Sequence, residues 1–134
     1  MGHQKPDEKF GCEQCWPPAA DAAWEARRAL MSVAQLIDES HFHVMILACP
    51  ECSQRFASIF TETIDWADGD DPQYWTLMPI SAGEDADLVR QQASLKESDL
   101  NGLGPGRRSL RRDFPKGAAQ RVYWGSGLNV GMHD

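Results

Sequence analysis

The sequence predicts an α+β fold: a small three-stranded antiparallel sheet with an N-terminal amphipathic helix and a second short helix. Three observations carry this prediction. Apolar residues recur at helical spacing from Ala19 to Asp38, three strand-like segments follow between His41 and Ile80, and Ser81 opens a capping box. Residues 1–95 hold these elements. Residues 96–134 form a Gly/Arg-rich segment expected to pack on the same domain.

Each element has a local reason. The first 18 residues are polar, carry three prolines and read as an irregular lead-in, with Pro17 and Pro18 placed where a helix tolerates proline. In the predicted helix Ala23, Ala26, Leu30, Val33, Ala34 and Ile37 share one stripe, with Glu25, Arg28, Ser32, Gln35 and Glu39 opposite. From His41 to Ala48 the period changes to two, with apolar residues on both faces, as in a central strand. Cys49-Pro50-Glu51-Cys52-Ser53 breaks that strand, and a second runs from about Arg55 to Ile64, which puts these cysteines on a hairpin tip. Asp65 to Pro72 is turn chemistry, and Tyr74 to Ile80 returns as the third strand. Ser81-Ala82-Gly83-Glu84 then caps a helix reaching about Ala93, burying Ala86, Val89 and Ala93. Asn101 to Gly106 cannot be regular structure, and Arg121 to Trp124 has the character of one further strand.

Composition bounds the function. The 134 residues suit one compact domain, and 42% hydrophobic with 25% charged residues excludes wholesale disorder. The longest apolar run, Val44 to Cys49, is too short to cross a bilayer, so no membrane partner is expected. Met1 to Asp7 lacks the apolar core of a secretory signal, so a cytoplasmic location is expected. The net charge of −7 is unevenly spread: residues 1–95 carry 16 acidic and 6 basic residues, residues 96–134 carry 4 and 7. Such a balance disfavours non-specific binding to nucleic acid and favours a basic partner.

All four cysteines fall in two Cys-x-x-Cys pairs, Cys12 with Cys15 and Cys49 with Cys52. A two-residue gap lets both thiolates of one turn reach the same cation at ~2.3 Å, and two such turns complete a tetrahedral sulfur site suited to zinc or, less often, iron. The 33 residues between the pairs exceed ordinary ribbon spacing, and the predicted helix and first strand account for them. At the level of this motif, Cys-x-x-Cys followed by Cys-Pro-x-Cys-Ser, the stretch from Cys12 to about Ile64 resembles zinc-ribbon domains. The resemblance implies a structural zinc ion on a zinc-ribbon-like hairpin, and no activity. Two disulfides are the first alternative and need an oxidising compartment; a thioredoxin-like redox pair is the second and needs a helix directly after the cysteines. A four-thiolate site is closed, which argues against metal catalysis. His41 and His43 lie on a strand pointing away from the hairpin tip and read as ordinary strand histidines.

Two further stretches qualify as sites. Asp65 to Trp75 mixes acids with aromatics, and counting from Asp65 it fails the alternate-acid template of an EF-hand, with Ala67 third and Gly69 fifth. It reads either as a polar turn beside core tryptophans or as a recognition loop in which Trp66, Tyr74 and Trp75 anchor a basic protein drawn by Asp68, Asp70 and Asp71. The run Arg107, Arg108, Arg111 and Arg112 either contacts nucleic-acid phosphates or docks the C-terminal segment onto the acidic middle of the chain. No nucleophile elbow, zinc-protease helix or P-loop occurs. The expected function is a non-enzymatic zinc-binding interaction module of inhibitor or immunity type, its acidic surface recognising a basic partner. The alternative is a zinc ribbon that binds nucleic acid through its arginines.

Overall fold

The computed structural model describes residues 10–134; the first nine residues, read above as the start of the lead-in, lie outside the described residues. The fold is mixed α+β, built on one antiparallel sheet of six strands in sequence order. The strands are β1 (Met31–Glu39), β2 (Phe42–Ala48), β3 (Arg55–Glu62), β4 (Gln73–Ile80), β5 (Arg108–Phe114) and β6 (Arg121–Ser126). Three short helices accompany them: α1 (Ala20–Ala26), α2 (Ala82–Arg90) and α3 (Glu97–Leu100). No helix among the described residues is long and apolar enough to cross a membrane.

The sheet and the first helix both differ from the sequence expectation. The sheet has six strands, where a three-stranded ribbon was expected, because β1, β5 and β6 extend it on both sides. The helix expected to reach Asp38 ends at Ala26 with one further tight turn, and Met31–Glu39 pairs with β2 instead. The pairing of β1 is irregular between Ser32 and Ala34 and again between Gln35 and Ile37. Each irregularity shifts the alternation by one residue. Ala34, Leu36 and Ile37 consequently all contact the core, which imitates a helical stripe in the sequence.

The central strands bury both faces. On the first face Phe42, Val44, Ile46, Ala57, Ile59, Met78 and Ile80 form one core, sealed by Leu88, Leu100 and Leu128. On the second face Phe56, Leu77 and Leu110 pack with Ala23, Cys15 and Cys49. The polar run Arg108–Phe114 is a strand because alternate residues, Leu110 and Arg112, turn inward. The last residues are tied back by backbone hydrogen bonds, Gly102 N–H to the Leu128 carbonyl and Asp134 N–H to the Glu62 carbonyl.

Helix α2 begins at the expected capping box: the Glu84 N–H donates to the Ser81 hydroxyl at 3.1 Å, and the Ser81 N–H donates to the Glu84 carboxylate at 2.8 Å. Ala86, Val89 and Ala93, expected to be buried, are exposed, and Leu88 is the buried residue. The helix instead turns Glu84 and Asp85 toward the sheet rim, where Arg107 lies 2.7 Å from Glu84 and Arg55 lies 4.0 Å from Asp85. Arg107 also donates to the Pro79 carbonyl, so it joins α2, β4 and the start of β5.

Burial raises the Glu84 pKa, but the Arg107 guanidinium and the Ser81 N–H more than offset it and hold the carboxyl below its ordinary value. A carboxyl depressed in the folded state adds stability above its unfolded pKa, and that stability is lost as pH falls through the folded pKa. Glu84→Gln is expected to cost about 1 kcal/mol at neutral pH. The difference should vanish once wild-type Glu84 is itself protonated, as urea titrations across the acid range would show. An equal difference at both ends of that range contradicts the assignment.

Candidate metal centre

Cys12 and Cys15 lie in the loop before α1, and Cys49 and Cys52 in the turn joining β2 to β3. Both loops are tightly wound. The Trp16 N–H donates to the Cys12 carbonyl at 2.8 Å and the Ser53 N–H to the Cys49 carbonyl at 2.9 Å. Ser53 takes a left-handed conformation, φ 67°, which lets the chain reverse into β3.

The four sulfurs lie within 4.8 Å of one another. Cys12 Sγ is 3.7 Å from Cys15 Sγ and 3.9 Å from Cys49 Sγ, and Cys15 Sγ is 3.8 Å from Cys52 Sγ. A tetrahedron with metal–sulfur bonds of ~2.3 Å has edges of about 3.8 Å, so the spacing fits one shared cation. It does not fit disulfides, whose sulfurs lie ~2.05 Å apart. Backbone N–H groups point at the sulfurs, from Cys12 to Cys15 Sγ at 3.2 Å and from Glu51 to Cys49 Sγ at 3.4 Å. Cys15 and Cys49 are buried, Cys12 is half-buried and Cys52 is exposed.

As thiols the four are unequal. The backbone N–H of Cys15 draws the Cys12 pKa down to about 7, whereas burial pushes Cys15 and Cys52 up. A divalent cation would displace protons from the raised thiols and offset the charge of the thiolates it binds. Among the described residues no His, Asp or Glu joins this group. His41 and His43 instead lie 3.3 Å from Glu62 and 3.1 Å from Asp38.

The surroundings hold the loops in place. Gln54 accepts from the Gly11 N–H at 2.9 Å and donates to the carbonyls of Arg55 and Ile80, joining the first loop to the sheet. Trp16 packs between Phe56, tilted at 52°, and Trp124, met edge-on at 73°, and the Trp124 indole N–H donates to the Pro18 carbonyl at 2.9 Å. Gly11 and Gln54 are supporting residues that the motif alone did not single out. Their only sequence signal is adjacency to the cysteine pairs.

The other candidate residues are dispersed. Trp66 is 89% exposed on the turn between β3 and β4, with Asp68 exposed beside it and 3.0 Å from Lys116. Asp70 accepts from the Gly117 N–H and Asp71 from the Asp65 N–H, each at 2.8 Å. Tyr74 and Trp75 are half-buried neighbours on β4, so they face opposite sides of the sheet. The arginines are engaged within the chain. Arg107 meets Glu84, Arg108 lies 3.9 Å over the Trp124 ring, Arg111 donates to the Ser126 and Gly127 carbonyls, and Arg112 donates to Gln120 and Gln73.

Gly11 has φ 75°, and a Cβ there would lie 2.8 Å from Trp16 Cβ and 3.0 Å from Cys15 Sγ. Gly69 has φ 70° with nothing within 4 Å, so it isolates the conformational cost from the clash. Gly69→Ala is expected to cost about 1 kcal/mol and Gly11→Ala clearly more, about 2–3 kcal/mol, in urea unfolding. Equal costs would mean that the first loop is not packed as described. Comparison of the chain with protein-family models, with curated proteins and with solved structures finds no match, so the reading of function rests on the site itself.

Proposed function

We propose that this chain is a non-enzymatic binding module whose N-terminal loop is fastened to its sheet by one structural zinc ion held by Cys12, Cys15, Cys49 and Cys52. The observation that carries the reading is four sulfurs within 4.8 Å of one another, three of their separations being 3.7–3.9 Å, which suits a tetrahedral cation. An all-thiolate donor set favours zinc over magnesium or calcium, and four protein ligands leave no position for water or substrate. The reduced, cytoplasmic setting proposed for the chain keeps such cysteines as free thiols, available to a metal.

Purified under reducing conditions, the protein is expected to carry one zinc per chain. Chelation, or Cys15→Ser, should lower stability by several kcal/mol, because the loop that seats Trp16 and α1 loses its anchor. A sample with no stoichiometric zinc, or a Cys15→Ser variant as stable as wild type, overturns the proposal.

The partner best supported is a basic protein that meets the turn between β3 and β4, as an inhibitor- or immunity-type protein would. Exposure of Trp66 beside Asp68 favours this reading, since an exposed Trp near carboxylates suits a cationic, partly apolar surface. No comparable observation favours nucleic acid, because the guanidinium groups of Arg107, Arg108, Arg111 and Arg112 are engaged internally. A basic protein captured by the wild-type chain is expected to be lost on Trp66→Ala, with the unfolding curve unchanged. Retention by Trp66→Ala would remove this turn from the interface.

A further inference from the structure

The second face of the sheet is only partly covered. Helix α1 and the first cysteine loop pack over Phe56, Leu77 and Leu110, with α1 in contact with β5 and β6. Beyond the helix the residues His43, Phe60, Trp75 and Arg112 form one row across β2 to β5. Between this row and α1 lies a cleft of about 240 Å³, walled by Trp24, Phe60 and Trp75 and floored by Met45 and Leu47. The walls support one another, with ring centroids 5.5 Å apart for Trp24 and Trp75 and 4.6 Å for Phe60 and Trp75.

Arg27 also lines this cleft. Its Cζ lies 3.6 Å over the Trp24 ring and 5.5 Å from the Trp75 ring, so aromatic faces position it. Its Nε is buried and makes no hydrogen bond among the described residues. No carboxylate among the described residues lies within ion-pair distance of it, whereas Glu25 pairs with Arg28 at 3.4 Å. The Arg112 guanidinium, 5.5 Å from the Trp24 ring, adds a second positive charge nearby. The other ionisable wall, His43, has Asp38 as its neighbour at 3.1 Å. The half-buried Arg27 guanidinium thus has a buried Nε without an acceptor among the described residues, which an anion bringing two oxygens to the guanidinium fork would supply.

We infer that the cleft between α1 and the sheet binds a small aromatic carboxylate, its ring lying against the wall of Trp24, Phe60 and Trp75 and its carboxylate on Arg27. The volume admits on the order of ten non-hydrogen atoms, smaller than the ligands of ordinary clefts of ~300–1,000 Å³. Charge complementarity selects the anion, and flat walls select an aromatic over a branched aliphatic body. The site is separate from the cysteine cluster and does not depend on the identity of the metal there.

The test uses the full-length, zinc-loaded protein and three probes of the same shape: cinnamate, the neutral cinnamamide and the cationic cinnamylamine. Binding is read from the indole N–H resonances of Trp24 and Trp75 and from calorimetry. Cinnamate is expected to shift both resonances saturably and to bind at least about tenfold more tightly than the amide, with no saturation by the amine. Arg27→Met should bring cinnamate down to the affinity of the amide, while Arg27→Lys should retain part of the preference. The probe series on the unchanged chain decides the question even where a variant folds poorly. No saturable shift with cinnamate at millimolar concentration, or equal affinity for cinnamate and cinnamamide, overturns the inference.

Discussion

The convergence of four cysteines from two loops, separated by 33 residues of sequence, is the constraint on which the second face of the sheet depends. At seven residues, α1 is far below the length at which an isolated helix persists in water. What keeps α1 on the sheet is what precedes it. Cys15 is sunk in the core beside Cys49, Trp16 is wedged between Phe56 and Trp124, and Trp124 bonds to Pro18 at the start of the helix. Freed sulfurs would release the loop, and with it the wall that Trp24 and Arg27 give to the cleft.

The two faces of the sheet are stabilised differently. The first is a conventional apolar core from β2, β3 and β4, closed by Leu88, Leu100 and Leu128, and its free energy comes from burial. The second is richer in tilted and edge-on aromatic pairs and in guanidinium groups, with Arg108 on Trp124 and Arg27 on Trp24. Such contacts are directional and individually small. They tolerate an opening that a close-packed aliphatic core would not, which is why the cleft lies on this face.

Much of the site was legible because its signals are local. Two Cys-x-x-Cys pairs suggest one shared site, a Pro inside the second and a strand pattern on either side of it place Cys49 and Cys52 on a hairpin tip, and Ser81 with Glu84 marks a helix start within one turn. The errors came where pairing overrides local pattern. Irregular register in β1 disguised a strand as a helical stripe. In β5 Arg112 is buried and its guanidinium donates to Gln73 on β4 and to Gln120, so a run that reads as a phosphate-contacting or docking segment is the fifth strand of the sheet. Trp24 and Arg27 gave no sequence signal of a cleft, because its walls come from α1, β2, β3 and β4 and meet only in the folded chain.

The metal proposed for the four sulfurs is the part of the molecule most directly open to measurement. X-ray absorption at the zinc edge, on reduced full-length protein, reads both the metal and its ligands. Four sulfur neighbours at ~2.3 Å and no nitrogen or oxygen neighbour is the predicted result. A mixed sulfur and nitrogen or oxygen shell, or no zinc edge at all, would contradict it.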